Sequence, residues 1–328
     1  MKSPFTGNEM KVVKEMRDMT FRKETFPVVF HYYRCEETGE QFEDERFSEL
    51  NYNQAVNQYR VKHRIPFPEQ IKAIREKYGQ SAAKMSEILG MGANSWRNYE
   101  DDEVPSKTNA NLIQMISKPE SFEEYILKYS ELEEKEREKI LKHIQKRRTD
   151  SCLCSDLLCR FNNQPDITTG FKAFDRVKTE QVITYFAERL QPFKTKLNKL
   201  LFYADFSHFR NTAQSITGLR YNAIQFGPVP CSYDILFGTL ADLDVIDIEY
   251  AMTPNGEVER ILPNPEHPFD ASLFSASELG VLDHISVHFK DTTAGEIAEI
   301  SHHEAAWKEN VNGKRIIPFT YAFGLEAV

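Results

Sequence analysis

The sequence predicts a multidomain α+β protein. It combines a small β-rich ribbon-like domain, an all-α helix-turn-helix bundle, and a mostly α C-terminal domain with a small antiparallel β element. Three observations predict it. β-branched and aromatic residues cluster in short runs between Lys11 and Arg34. Two short apolar-periodic segments flank a glycine turn between Ile65 and Ile116. Long helical patterns near 179–210 and 275–307 bracket strand-like runs. The 328 residues suffice for two or three domains, and 41% hydrophobic and 12% aromatic content can build real cores.

Residues 1–64 are expected to be the β-rich domain. Lys11–Lys14, Met19–Arg22 and Val28–Arg34 are its strands, punctuated by Gly7, Pro27 and Gly39, and Glu45–Tyr59 reads as a helix leading onward.

Residues 65–130 are expected to be helical. Pro66 and Pro68 stand at the start, where a missing N–H costs least. Ile71, Ile74 and Tyr78 line one face. Ser81 is the expected N-cap of a second helix burying Met85, Ile88 and Leu89. Gly90-Met91-Gly92 makes the turn, because glycine accepts positive φ cheaply. Asn94–Glu100 forms a third helix, and Thr108–Ile116 and Phe122–Tyr129 complete the bundle. This is the spacing of a helix-turn-helix, whose third helix reads the major groove. Asn94, Ser95, Arg97 and Asn98 are the exposed candidates, with Trp96 and Tyr99 packing inward. The acidic run Glu100-Asp101-Asp102-Glu103 opposes phosphate approach unless it faces away.

Residues 131–170 are a charged helix, Glu131–Arg148, followed by a linker. The helix's basic end, Lys142, Lys146, Arg147 and Arg148, complements its dipole more readily than it marks a phosphate strip. Residues 171–328 open with helices Thr179–Leu190 and Lys194–Arg210, the second apolar almost all round and so buried. Tyr221–Phe226 reads as a strand. Val245–Met252 and Gly256–Leu262 read as a hairpin across Pro254-Asn255-Gly256. Helices Ser275–Phe289 and Thr293–Trp307 follow. Asp205 and His208, at i,i+3, are placed to meet. Gly227-Pro228-Val229-Pro230 reads as a rigid turn projecting a loop.

The formal net charge is −9, whereas DNA-binding chains are more often basic. A charged N-terminus and the lack of a long apolar run predict a cytoplasmic protein with neither leader nor membrane span. Five cysteines suit reduced thiols. Cys152-Leu153-Cys154 with Cys159 lacks zinc-knuckle spacing. His208, Asp205, His302, His303 and Glu304 raise a metal-hydrolase reading. However, adjacent helical histidines diverge by about 100°, and no phosphate loop, nucleophile elbow or His-Glu-x-x-His occurs. No cofactor, metal or catalytic residue is expected.

LGMGANSWRNYE resembles the turn and recognition helix of Xre-type domains. With what precedes it, the first 130 residues resemble MqsA/YgiT-type antitoxins, which join a zinc ribbon to an Xre domain. Ser3-Pro4-Phe5-Thr6-Gly7 and Cys35-Glu36-Glu37-Thr38-Gly39 keep the ribbon's spacing, but Ser3, Thr6 and Thr38 replace three thiols. Hydroxyls are poor zinc ligands at neutral pH, so turns held by glycine and hydrogen bonds, without metal, are expected. The resemblance makes Asn94 a base reader. It puts Asn98 where the family has an Arg, with Arg97 one residue earlier.

Residues from about 171 onward resemble the Panacea (SocA-like) domain through Lys199-Leu200-Leu201-Phe202-Tyr203-Ala204-Asp205, Tyr221–Pro230 and Ser301-His302-His303-Glu304-Ala305-Ala306-Trp307. The resemblance implies a toxin-neutralising domain. Tyr203, Asp205, His208, Gly227, Pro228, His303 and Trp307 are candidates for partner contact or for holding the fold. The function expected is a type II antitoxin that binds a cognate toxin and, as a homodimer, double-stranded operator DNA. A phage- or mobile-element-associated transcriptional regulator is the alternative, and a metal-dependent hydrolase a third.

Overall fold

A computed structural model describes residues 1–4, 6–130, 132–150, 158–161, 163–253 and 256–328, with the side chains of 146–150, 158, 159 and 253 left out. The chain forms two compact units. One unites Met1–Ala55 with Leu157–Val328, and the other is Val56–Asp156. The architecture is mixed α+β, with a small antiparallel ribbon at the N-terminus and a mostly helical C-terminal region.

The N-terminal sheet has strand order β1 (Lys11–Phe21), β2 (Glu24–Arg34), β3 (Gln41–Phe42), all antiparallel. The two runs expected as separate strands, Lys11–Lys14 and Met19–Arg22, are one strand. Glu15-Met16-Arg17-Asp18 continues the ladder because its polar side chains face solvent or the half-buried surface. Arg22 and Lys23, both at positive φ, make the two-residue turn that matches strand twist. Helix α1 (Glu45–His63) closes the other flank of β2 with two amide side chains one turn apart. Asn51 exchanges hydrogen bonds with the His31 backbone at 2.8 and 2.9 Å, and Gln54 does so with Val29 at 2.9 Å each. The ribbon also meets the C-terminal end of its unit. Lys14 donates to the Phe323 carbonyl at 2.7 Å, and the His31 and Phe323 rings lie 5.0 Å apart.

The second unit holds α2 (Pro68–Lys77), α3 (Ala82–Ile88), α4 (Ser95–Glu100), α5 (Lys107–Ile116), α6 (Pro119–Lys128) and α7 (Glu134–Asp150). Ser81 caps α3 by accepting from the Lys84 N–H, and Ser106 does the same for α5. Gly90 takes positive φ after α3 and turns the chain toward α4. Ile71, Met85, Ile88, Trp96, Ile113, Phe122 and Ile126 form one core, with Tyr78 stacked on Phe122 at 4.1 Å. Trp96 and Tyr99 are buried. The side chains of Lys146, Arg147 and Arg148 lie outside the described residues, as do Cys152 and Cys154 and the side chain of Cys159.

The C-terminal region builds around α9 (Lys194–Thr212), preceded by α8 (Arg176–Leu190). Side chains from Lys196 to Phe209 on α9 are buried without a break, so the helix is central. The hairpin β4 (Tyr221–Ile224) and β5 (Gly227–Pro230) packs on it. Helix α10 (Tyr233–Asp242), which periodicity did not announce, leads to β6 (Ile246–Thr253) and β7 (Gly256–Pro263); their turn at 254–255 lies outside the described residues. Helices α11 (Ala276–His288) and α12 (Ala294–His303) each open with a complete capping box, Ser275/Glu278 and Thr293/Glu296. The single helix expected over Thr293–Trp307 is broken at Glu304 into α12 and α13 (Ala305–Lys308). The Glu304 backbone is extended, and its buried carboxylate accepts from the Glu326 and Ala327 N–H groups, each at 3.1 Å. No helix among the described residues is long and apolar enough to cross a membrane.

Candidate functional site

The three C-terminal motifs converge. Asp205, fully buried on α9, accepts from the Ile216 N–H at 2.8 Å, the Thr217 N–H at 2.9 Å, the Thr217 hydroxyl, and the Tyr221 hydroxyl at 2.6 Å. Burial raises its carboxyl above the ordinary range, and those four donors oppose the rise. The meeting expected between Asp205 and His208 does not occur. His208 points instead to the Gln214 carbonyl at 2.7 Å, where burial lowers it to about 4. The i,i+3 spacing permits contact, but α9 ends in a left-handed Ala213, and the chain folding back supplies each side chain with separate backbone partners.

Gly227 is the junction of the three motifs. Its φ is +98°, and a Cβ there would lie 2.5 Å from both Lys199 Cε and Ser301 Oγ. The expected projecting turn at Gly227–Pro230 is instead the buried strand β5, and the loop is Gln225-Phe226. Pro228 and Pro230 fit because residues two apart present the same strand edge, so both missing N–H groups fall on one side. Phe226, 66% exposed, is what the hairpin projects.

Around this junction, Trp307 donates from Nε1 to the Ile224 carbonyl at 2.7 Å and stacks on His302 at 4.1 Å. His303 is exposed and sits against the Glu299 carbonyl of its own helix. Buried Tyr203 donates to Glu304 at 3.4 Å. Sequence reasoning passed over Lys199, which the structure places at the centre with its ammonium buried and lacking any hydrogen-bond partner among the described residues. Burial alone pulls it down to about 7. A lysine amid Leu197, Leu200 and Leu201 was the signal available.

In the second unit, Asn94 is the N-cap residue of α4 but makes no side-chain capping bond, and its side chain is exposed. Arg97 is exposed and has no ion pair among the described residues; Ser95 is half-buried. Asn98 is exposed and donates to Glu103 at 3.0 Å. The acidic run is largely engaged within the unit. Glu100 takes both forks of Arg75, at 2.6 and 3.0 Å, and the Trp96 Nε1–H at 2.7 Å. Asp102 accepts from buried Arg60 at 3.1 Å.

In the ribbon, the Gly7 N–H bonds the Ser3 carbonyl and the Gly39 N–H that of Cys35, each at 2.9 Å, with both glycines at φ +72°. The hydroxyls at the three replaced positions gather on the remaining thiol, with Thr6 Oγ1 at 3.7 Å from Cys35 Sγ. Hydrogen bonding from Thr38 first, then Ser3 and Thr6, holds that thiol down at about 6. Among the described residues no group of three His, Cys, Asp or Glu stands together to hold a metal ion.

Residues 197–308 match a protein family described as antitoxin SocA-like, Panacea domain. Those residues run from the first turn of the buried helix α9 to the end of α13, and contain all three converging motifs. Neither a curated protein nor a solved structure matches the chain.

Proposed function

We propose, with the Panacea domain at residues 197–308 as premise, that this chain is the antitoxin of a type II toxin–antitoxin system. The C-terminal region contacts a cognate toxin and covers its active surface. Helices α3 and α4 act as the helix-turn-helix of an Xre-type domain and bind the operator of the chain's own gene, as a homodimer on a palindrome. Toxin occupancy then alters repression. The role is one of binding rather than catalysis, in the cytoplasm.

The observation that carries the toxin-binding arm is the family match over the segment where the three motifs converge. Gly227, Lys199, Trp307 and Asp205 hold a hairpin whose tip presents Phe226, an exposed aromatic on a rigid base. Rigid presentation limits the entropy lost on binding, and buried aromatics commonly dominate interface energy. Tyr203, Asp205, His208, Pro228 and Trp307 act in this reading by shaping that base, and exposed His303 lies on α12 near it. For DNA, the support is the exposed side chains of Asn94 and Arg97 beside carboxylates already engaged by Arg75 and Arg60.

Co-expression with the neighbouring gene tests the main claim. Growth arrest by that gene alone, relieved by this chain and restored by Phe226→Asp, is the expected result. Absence of toxicity without this chain overturns it.

A further inference from the structure

A second feature of the Met1–Ala55/Leu157–Val328 unit is unrelated to the motif junction. A cleft of about 500 Å³ opens between α1, the end of α9 and the start of α11, within the range of small-molecule sites. Its walls carry Arg46 from α1, Ser207, Arg210 and Asn211 from α9, and Ser277 and His284 from α11.

Four features of this cleft favour an anion. Two guanidiniums face one space. Arg46 has no ion pair among the described residues, and Arg210 has only a hydrogen bond to the Val328 carbonyl at 2.5 Å. Arg210 is held below the ordinary guanidinium range by burial, against the pull of Glu304, and the Arg46 charge adds to the lowering. A further negative charge between the two would relieve that repulsion.

Ser207 is 2% exposed, lines the cleft, and its hydroxyl has no hydrogen-bond partner among the described residues. Buried polar groups are nearly always bonded, so an unsatisfied hydroxyl in a cavity wall marks a missing acceptor or donor. Asn211 adds a half-buried amide to the same wall.

The first turn of α11, a 13-residue helix, enters the same wall through Ala276 and Ser277. The Ser275 capping hydroxyl is taken by the Glu278 N–H, so the N–H groups of Ala276 and Ser277 have no acceptor in their own turn. Helix N-termini with such free N–H groups favour anions.

The donors outnumber the two oxygens of a carboxylate and suit the three of a phosphoryl group. Glu49, one turn along α1 from Arg46, also lines the cleft. It opposes a free dianion and provides an acceptor for a hydroxyl carried by the rest of the ligand. We propose that this cleft is a binding site for the phosphoryl group of a small hydroxyl-bearing monoester of nucleotide size.

The test uses the full chain, with inorganic phosphate and a nucleoside monophosphate as probes, followed by titration calorimetry and thermal unfolding. The monophosphate should bind at least tenfold more tightly than phosphate and raise the melting temperature. Arg46→Gln, an exposed change, and Ser207→Ala, which removes a hydroxyl with no hydrogen-bond partner among the described residues, should each weaken binding about tenfold without lowering the melting temperature of the free protein. Glu49→Gln should tighten inorganic phosphate. Failure of both probes to bind at millimolar concentration overturns the proposal. So does binding that both Arg46→Gln and Ser207→Ala leave unchanged, or binding competed only by duplex DNA. Because neither variant touches the hairpin, toxin neutralisation should persist in both, which keeps this result separate from the antitoxin reading.

Discussion

Tyr221 donates its hydroxyl to Asp205 at 2.6 Å inside a site that water does not reach. The two residues come from different motifs, so the bond ties β4 to the middle of α9. Asp205→Ala would leave the Ile216 and Thr217 N–H groups and the Thr217 hydroxyl without an acceptor, while the Tyr221 hydroxyl keeps the Leu201 carbonyl at 3.0 Å. Unsatisfied buried donors cost about 1–3 kcal/mol each, and partial relaxation should bring the loss to roughly 3–5 kcal/mol. Tyr221→Phe should lose only about 1–2 kcal/mol, since it removes one donor and leaves the other three bonds. Urea unfolding of both single variants and the double variant measures this; losses that simply add would show that the pair is not coupled.

Lys199 makes stability depend on pH. Its ammonium is held near 7 in the folded protein, against 10.5 ordinarily. Between those values the unfolded chain binds the proton and the folded one does not, so stability rises with pH across that window. Below about 7 both states are protonated and the whole penalty of burying the charge is present. Lys199→Met should flatten the rise and stabilise the protein at pH 6 by roughly 3–5 kcal/mol. Chemical denaturation at pH 6, 8 and 9.5 checks it, and equal slopes for both proteins would refute the assignment.

Gly227 cannot carry a side chain. Alanine there meets both a left-handed φ and contacts at 2.5 Å with Lys199 and Ser301. Gly227→Ala should cost about 2–3 kcal/mol, and shortening one neighbour in Gly227→Ala/Lys199→Ala should recover only the Lys199 share of the clash, because Ser301 Oγ still meets the new Cβ. Thermal unfolding of the single and double variants decides between strain and clash.

On the second unit, Asn94→Ala should weaken operator binding about tenfold or more, the value of one bidentate base contact at roughly 1–3 kcal/mol. Arg97→Ala should weaken all sequences alike and lower the salt slope by about 1. Glu100→Gln gives a different signature. It loosens the Arg75 fork and so should lower the melting temperature, because Glu100 serves the core rather than the groove. Mobility shifts at several salt concentrations, run beside melting curves, separate the three.

The ribbon should contain no stoichiometric zinc by elemental analysis. Ser3→Cys/Thr6→Cys/Thr38→Cys, joined to native Cys35, should bind one zinc, because the hydroxyls at those positions already converge on the thiol. A triple variant that stays metal-free would show that the turns are too far apart for a tetrahedral set.

Local chemistry explains which parts were legible. Ser81 as a cap, Gly90 in the turn, and Trp96 with Tyr99 facing inward follow from helix periodicity and capping, which act within a few residues. The burial of α9 follows from an apolar surface all round. The separate destinations of Asp205 and His208 did not follow, because each is bonded by backbone that returns from the 214–217 segment. The Gly227–Pro230 strand was hidden because proline signals a turn unless its missing N–H faces away from the partner strand. Glu304 breaks its helix for an acceptor role toward residues 326 and 327, more than twenty positions downstream. Pairing of Glu100 with Arg75 turns an apparent obstacle to DNA into part of the core, and only tertiary structure reveals it.

The Lys14 bond to the Phe323 carbonyl and the His31–Phe323 ring contact bear on how this protein can be dissected genetically. A fragment starting at residue 171 contains every motif of the family match, yet it strips the ribbon from Phe323 and uncovers an aromatic surface. Such a truncation should express poorly or aggregate. Its failure to rescue cells would then report lost solubility rather than a toxin-binding role for the first 55 residues. Point substitutions in the intact chain are therefore the sound route to assigning activities. Evolutionary exchange of the N-terminal modules would likewise have to carry the ribbon together with the C-terminal region it covers.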